Sequence, residues 1–196
     1  MENPGLLKLP LLKAQDAEPR GAELLEQAHS KNGMVPNMYA AMANAPEMFD
    51  TYIHGYNLFR QNSGFSPVEQ ELIFLTISRE NACEYCMAAH STIADGARVP
   101  HEVTDALRED RTLADPKLQT LAAFVRTIFH TRGRPSQQDL ADFAAAGYSE
   151  RQVLDVVLAL AVKTISNYTN HLFDTEVDKP FAQRVWKEPA KETASR

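Results

Sequence analysis

Residues 71–90 read ELIFLTISRENACEYCMAAH, and they hold both cysteines of the chain, Cys83 and Cys86, in a Cys-x-x-Cys spacing. His90 ends this stretch, four residues after Cys86. Steps of three and four residues stay on one face of an α-helix, so the three side chains fall within a sector of about 60°. The stretch therefore predicts a helix that presents two thiols and an imidazole on the same side.

Two thiols beside a base are typical of thiol redox chemistry. The thiolate is the reactive form of cysteine, and a second thiol nearby can capture the oxidised sulfur as a disulfide. Attack on a peroxide by one thiolate gives a sulfenic acid, which the other thiol converts to the disulfide. A reductant from outside must then restore the pair.

The start of the motif helix bears on which thiol reacts. Asn81 and Glu84 form an N-cap pattern, which predicts a helix over about 82–95 with both thiols in its first turns. Unpaired N–H groups and the helix dipole at that end favour negative charge, most strongly at Cys83. The histidine lies nearest Cys86 and favours a thiolate there. Spacing alone leaves the two roles open.

The acidic residue upstream completes a longer pattern. Glu71 precedes Cys83 by twelve residues, and this register resembles that of the AhpD-like alkylhydroperoxidases of the carboxymuconolactone decarboxylase superfamily over about residues 65–95. The resemblance implies an all-α, AhpD-like multi-helix bundle and a catalytic relay. In that relay Glu71 acts on His90, which activates Cys86 as the peroxidatic thiol. Cys83 serves there as proton donor and resolving thiol.

The resemblance also bears on function and partners. It implies an antioxidant, thiol-dependent peroxidase that acts on a small hydroperoxide. No bound cofactor and no metal are expected, because an external thiol or dithiol of lipoyl or thioredoxin type supplies the electrons. A homo-oligomer is implied as well, commonly a trimer or a hexamer.

One residue departs from the pattern of the best-known peroxidases of this family, which have a histidine just before the second cysteine. Here that position is Tyr85. Tyrosine keeps a hydrogen-bonding tip but does not titrate near neutral pH. The change therefore bears on the rate and on the preferred peroxide, and not on the fold. Tyr85 and Glu80 are predicted as supporting residues of the site.

Other interpretations of the motif lead to different proteins. Two cysteines on a helix can be ordinary buried residues, and Cys83, Cys86 and His90 are all possible zinc ligands, although the chain has no second Cys/His cluster to complete a site. A dithiol–disulfide oxidoreductase would use the same pair on another disulfide. A lactone decarboxylase belongs to the same superfamily. A non-catalytic helical oligomer could use the disulfide as a redox switch.

Composition narrows the class of protein. The chain has 196 residues, 44% of them hydrophobic, which predicts one domain, placed at residues 1–186, followed by a frayed tail at 187–196. The net charge of −6 gives no case for nucleic-acid binding. No apolar run is long enough for a membrane span, and the run at 6–12 is too interrupted for a signal peptide. A cytoplasmic location is predicted, where a lone cysteine pair is usually catalytic.

Helical periodicity recurs along the chain, and no segment shows the alternation of a strand. An all-α fold is therefore predicted. Its helices are expected at about 19–31, 37–44 and 46–61, from 67 after the N-cap Ser66, at 82–95, 100–109 and 118–131, from Ser136 to 146, and over a long last segment from the N-cap Ser149.

A faint internal echo favours two related helical halves. Residues 64–66 (GFS) recur as 147–149 (GYS), and the step from Cys86 to His90 recurs as that from Asn167 to His171. The second copy has no thiols. His171 is therefore predicted to be a core or interface histidine and not a catalytic one.

Overall fold

Nine α-helices and two short 3-10 helices make up the fold of residues 5–189, the part of the chain that this computed structural model describes, and no β-strand occurs there. The all-α prediction is confirmed. The α-helices are α1 (Pro19–Asn32), α2 (Asn37–Met42), α3 (Pro46–Asn62), α4 (Pro67–Glu80), α5 (Glu84–Gly96), α6 (His101–Glu109), α7 (Pro116–Thr131), α8 (Gln137–Ala145) and α9 (Glu150–Phe173), and the 3-10 helices are Ala14–Asp16 and Lys179–Arg184.

Reciprocal side-chain caps start two of the helices whose serines the sequence singles out. Ser66 Oγ accepts a hydrogen bond from the N–H of Glu69 at 3.3 Å, and the Glu69 carboxylate accepts one from the N–H of Ser66 at 2.8 Å. Ser149 and Gln152 exchange the same pair of bonds, at 3.3 and 2.8 Å. Each box satisfies donors that a helix N-terminus otherwise leaves unpaired. Local sequence therefore determines where α4 and α9 begin.

Helix α4 lies at the centre of the bundle. All its residues from Glu69 to Ser78 are buried, as expected for a helix surrounded by others. It packs against α5, α6, α7 and α9. The thiols lie beside this central helix in an apolar cluster, to which α1, α2 and α3 contribute Leu25, Met42 and Phe49. The motif is therefore held in the interior of the bundle.

The junction between α4 and α5 corrects the prediction made for Asn81. Asn81 is the C-cap of α4 and not an N-cap, and its side chain donates to Asn167 Oδ1 on α9 at 2.9 Å. Ala82 then turns the chain with a left-handed φ of 53°. Cys83 occupies the N-cap position of α5, which places Cys86 in the first turn of that helix. The amide of Asn81 is used between helices, so it cannot cap the next one.

Helix α9 runs unbroken for 24 residues, whereas the segment that it echoes is divided into α4 and α5. Asn167, the counterpart of Cys86 in the echo, is fully buried and faces the motif. His171 is exposed, with its ring centroid 6.4 Å from that of Tyr168, so it is not a core residue. The echo thus survives in the serine caps of both segments but not in the course of the backbone.

The chain after α9 folds back over the bundle. Trp186 Nε1 donates to the carbonyl of Arg108 on α6 at 2.9 Å. Lys187 pairs with Glu84 at the start of α5. Of the tail predicted at 187–196, residues 190–196 lie outside the described range. No helix in residues 5–189 is both long enough and apolar enough to cross a bilayer.

Candidate active site

The predicted relay residues meet inside the bundle. Glu71 on α4 and His90 on α5 are 1% and 4% exposed, and His90 Nδ1 lies 3.0 Å from Glu71 Oε2. The other carboxylate oxygen, Oε1, lies 2.5 Å from Nη2 of Arg60 on α3. Arg60 was not anticipated, because an arginine near the end of an amphipathic helix is usually solvated. The buried carboxylate is thus shared between an arginine and the imidazole.

These contacts keep Glu71 ionised. Burial alone would raise its pKa, but the hydrogen bond from His90, followed by the charge and hydrogen bond of Arg60, brings the pKa below its ordinary value. A carboxylate can only accept hydrogen bonds, so His90 donates through Nδ1. Its Nε2 is left with a lone pair that can accept a proton.

His90 itself is held neutral. Burial lowers its pKa first, and the charge of Lys163 lowers it further, while the bond to Glu71 opposes both. The net direction is downward from the ordinary value. A neutral imidazole oriented by a carboxylate is suited to receive a proton.

The two cysteines are buried free thiols with opposite tendencies. Burial, followed by the hydrogen bond to its neighbour, raises the pKa of Cys83. Burial would also raise the pKa of Cys86, but the hydrogen bond from Cys83 and then the charge of Lys163 bring it well below its ordinary value. These directions favour ionisation at Cys86 over ionisation at Cys83.

Helix α9 contributes a polar face that the sequence pattern does not assign to the site. Lys163, Asn167 and Asn170 follow one another on one side of the helix and are 1%, 0% and 4% exposed. Asn170 Nδ2 lies 3.2 Å from Cys86 Sγ and 3.9 Å from Cys83 Sγ. The sequence does contain an indication of this face. Lys163 lies in line with the apolar stripe of α9, and a lysine at such a core-facing position is rare and suggests a function.

The two predicted supporting residues have different positions. Tyr85 donates from its hydroxyl to Asp178 Oδ2 at 2.5 Å, with its ring centroid 6.2 Å from that of Phe181. It is therefore part of the wall beside the thiols. Glu80 instead accepts from Arg126 at 2.9 Å and pairs with His130 at 2.8 Å. These contacts join α4 to α7, and the structure does not bring Glu80 to the thiols.

A small cavity gives access to Cys86. It has a volume of about 60 Å³ and is lined by Cys86, His90 and Lys163. A single water needs roughly 10–15 Å³ on this measure, so the cavity can admit a small polar group such as a hydroperoxyl. Its other walls also line an adjoining cavity of about 460 Å³, through the side chains Tyr39, Tyr56, Ile93 and Phe181.

A second cavity approaches the pair from the other thiol. It has a volume of about 420 Å³, and Cys83 and Asn170 line it. Its lining includes the acidic residues Glu84, Asp174 and Glu176, of which Glu84 is paired with Lys187, also in the lining. The two thiols are thus approached from different sides, one side mainly aromatic and the other acidic.

The site shows no arrangement for a metal ion. Within residues 5–189, no three His, Cys, Asp or Glu side chains are grouped so that they could hold one. The zinc alternative, which used both cysteines and His90, therefore finds no ligand set in the described part of the chain.

One protein-family model matches part of the chain. The model of the carboxymuconolactone decarboxylase family matches residues 46–127. That segment includes Arg60, Glu71 and the whole motif, but not helix α9. No curated protein matches the chain.

Three solved structures share the fold. The alkylhydroperoxidase AhpD core of an uncharacterized peroxidase-related protein from Ralstonia eutropha JMP134 is 19% identical, with a TM-score of 0.79 over 92% of this chain and 97% of that one. A peroxidase-related protein from Silicibacter sp. TM1040 is 20% identical, with a TM-score of 0.76 over 92% and 95%. A Cys-to-Ala variant of the debrominase Bmp8 in complex with 2,3,4-tribromopyrrole is 17% identical, with a TM-score of 0.74 over 91% and 95%. These likenesses establish the AhpD-like fold.

Proposed function

Because the carboxymuconolactone decarboxylase family model matches residues 46–127 and the fold is AhpD-like, we propose that this chain is a thiol-dependent peroxidase of that superfamily and that it uses Cys83 and Cys86 as a redox pair. The observation that carries the proposal is the contact between two buried thiols of opposite tendency beside a cavity. Cys86 tends toward the thiolate, and Cys83 stays protonated next to it. One nucleophile and one proton donor are what the cleavage of an O–O bond requires.

The proposed reaction has two steps within the protein. The Cys86 thiolate attacks the outer peroxide oxygen, the O–O bond breaks, and the alcohol leaves after taking up a proton. Cys83 then attacks the resulting sulfenic acid, water leaves, and the disulfide forms. His90 can hold a proton at Nε2 during these steps, because Glu71 fixes its other nitrogen. Two equivalents of an external thiol return the disulfide to the reduced pair.

A second candidate uses the same thiols on a different bond. The fold is shared with a debrominase variant whose structure holds a brominated pyrrole. In this chain the cavity of about 460 Å³ that adjoins the Cys86 cavity, called the outer cavity below, has an aromatic wall of Tyr39, Tyr56 and Phe181. In such a reaction the two thiols reduce a carbon–halogen bond to carbon–hydrogen, halide leaves, and the disulfide forms. The aromatic wall supports an aromatic substrate in either reaction.

Direct comparison of substrates tests the proposal. In assays that all contain the same thiol reductant in excess, we expect turnover of cumene hydroperoxide and slower turnover of hydrogen peroxide. We expect no bromide release from 2,3,4-tribromopyrrole. The aromatic hydroperoxide is favoured because its ring can occupy the outer cavity. Bromide release without peroxide turnover would replace the peroxidase by a dehalogenase. Thiols that remain unoxidised by every substrate would end both readings.

The acidic cavity leads to a prediction about the reductant, which we expect to approach the disulfide from the Cys83 side. Glu176→Gln should speed reduction by 3-mercaptopropionate, which attacks as a dianion, about threefold, and should speed reduction by 2-mercaptoethanol, which attacks as a monoanion, by less, because one like charge is removed from the cavity lining. The measurement is the return of free thiols in protein oxidised beforehand with diamide. Using the ratio of variant to wild type for each thiol cancels the intrinsic reactivity of the reductant.

Glu150→Gln is the matched control, since Glu150 is exposed at the start of α9 and lines neither cavity. An equal acceleration in this control would mean that the net charge of the protein, and not the cavity lining, governs the approach.

A further inference from the structure

Lys163 is a buried lysine whose Nζ has no hydrogen-bond partner within the described part of the chain. Its side chain is 1% exposed. The ring centroid of Phe74 lies 5.6 Å from Nζ, within the range of a cation–π contact, but a neutral ring carries no charge to balance an ammonium. A buried charge with no partner is strongly unfavourable, so Lys163 can be an ammonium only if an anion lies nearby.

The buried carboxylates around the site already have partners. Glu71 is paired with Arg60 at 2.5 Å. Asp178 accepts hydrogen bonds from the Tyr85 hydroxyl and from the backbone N–H of Asn37. No aspartate or glutamate is among the described residues that line the cavity with the lysine. The balancing charge must therefore come from another kind of side chain.

The remaining ionisable groups of the cavity leave one candidate. Burial, the largest cause in each case, holds four tyrosines neutral by raising their pKa values: Tyr39, Tyr52, Tyr56 and Tyr85. His90 is kept neutral by burial and by Lys163 itself, both of which lower its pKa. Cys83, behind the cavity wall, is held as a thiol by burial, which raises its pKa. Cys86 is the group left to carry a negative charge.

We propose that Lys163 and Cys86 form an ammonium–thiolate pair in the reduced protein, so that the attacking sulfur is ionised before any peroxide enters. Asn170 supports this state, because its Nδ2 donates toward Cys86 Sγ at 3.2 Å. The first turn of α5, where Cys86 lies, favours negative charge as well. The catalytic meaning of the pair rests on the proposed peroxidase function, whereas the pair itself is a property of the reduced protein alone.

The pair also balances the protons of a turnover. Attack by the Cys86 thiolate releases an alkoxide, which takes the proton of the Cys83 thiol and leaves as the alcohol. The Cys83 thiolate then displaces hydroxide from the sulfenic acid. Lys163 has lost its anion at that point, and its ammonium gives the hydroxide a proton to form water. Reduction by two external thiols returns the proton to the lysine and restores the thiolate.

The test is a titration of the reduced protein with no peroxide present. Thiolate is followed by its ultraviolet absorbance from about pH 4 to about pH 9, and by the rate at which iodoacetamide alkylates each cysteine. We expect one thiolate per chain at neutral pH, retained in Cys83→Ser and absent in Cys86→Ser. Lys163→Met keeps the aliphatic stem without the charge, and it should slow alkylation of Cys86 near pH 6 by about 10- to 100-fold.

Two further variants separate charge from packing. Lys163→Arg keeps the charge and should restore most of the neutral-pH thiolate. Lys117→Met removes an exposed lysine that pairs with Glu69, and it should leave the titration unchanged. Wild type without thiolate near pH 7, or an unshifted titration in Lys163→Met, overturns the pair. A thiolate without peroxide turnover leaves the pair standing and removes the peroxidase.

Discussion

Cys86→Ser should lower thiol-dependent peroxide turnover by more than about 10³-fold, because a hydroxyl is not ionised at neutral pH and cannot replace the thiolate as nucleophile. The side chain is 2% exposed and differs from serine by one atom, so packing should change little. The measurement is peroxide consumption under a saturating thiol reductant. Circular dichroism of the variant checks that the helices are intact.

Cys83→Ser is the matched variant, and it should have a different result. One equivalent of peroxide should still be consumed per chain, since Cys86 retains its hydrogen bond from Asn170 and its place in the lining of the cavity that also contains Lys163. Turnover should then stop, because no thiol resolves the sulfenic acid. Dimedone should label Cys86 in this variant. Labelling of Cys83 in Cys86→Ser, with normal consumption of one equivalent, would reverse the two roles.

Glu71→Gln should destabilise the protein by about 3–5 kcal/mol, because it leaves the partly buried guanidinium of Arg60 without its carboxylate. It should also release His90 from its fixed orientation. Urea unfolding followed by circular dichroism measures the first effect. Glu23→Gln removes one partner of an ion pair that is exposed on both sides, and it should leave the urea midpoint unchanged. Equal shifts of the urea midpoint in both variants would contradict the claim that the buried Arg60–Glu71 pair contributes more to stability than an exposed pair.

The same carboxylate predicts how stability depends on pH. The pKa of Glu71 lies below its ordinary value of 4.5 in the folded protein, so its contribution to the free energy of unfolding is complete above that value and is lost as the pH falls toward the folded pKa. Glu71→Gln should therefore flatten the loss of stability between about pH 5 and about pH 3.

The parts of the fold that sequence predicts well are those with a local cause. Ser66 and Ser149 each carry their capping partner three residues later, and the helices begin directly after them. The register from Glu71 to the motif also transfers to three dimensions, because α4 and α5 are consecutive and pack side by side. Contacts within one helix can be inferred from spacing, whereas the contact between Glu71 and His90 was expected only from the resemblance to a known family.

The residues that escaped prediction reach the site from other helices. Arg60 and Asn170 reach the site from α3 and α9, and no spacing relates them to the cysteines. Asn81 was assigned wrongly for the same reason, since its amide is used by Asn167 on a distant helix. A local sequence pattern indicates which hydrogen bonds a side chain can make. Its partners in the folded protein determine which of these bonds forms.

The position of Lys163 on the last helix affects how relatives of this protein should be sorted. The family segment ends at residue 127, so a search with that segment compares the thiols but never the cation that faces them. Two chains with identical motifs can then differ in whether the nucleophile carries its own counter-charge. Comparing the residue at the position of Lys163 would separate chains that place a lysine beside the second cysteine from chains that do not. In evolutionary terms, thiol reactivity could be tuned from the last helix while the motif stays unchanged.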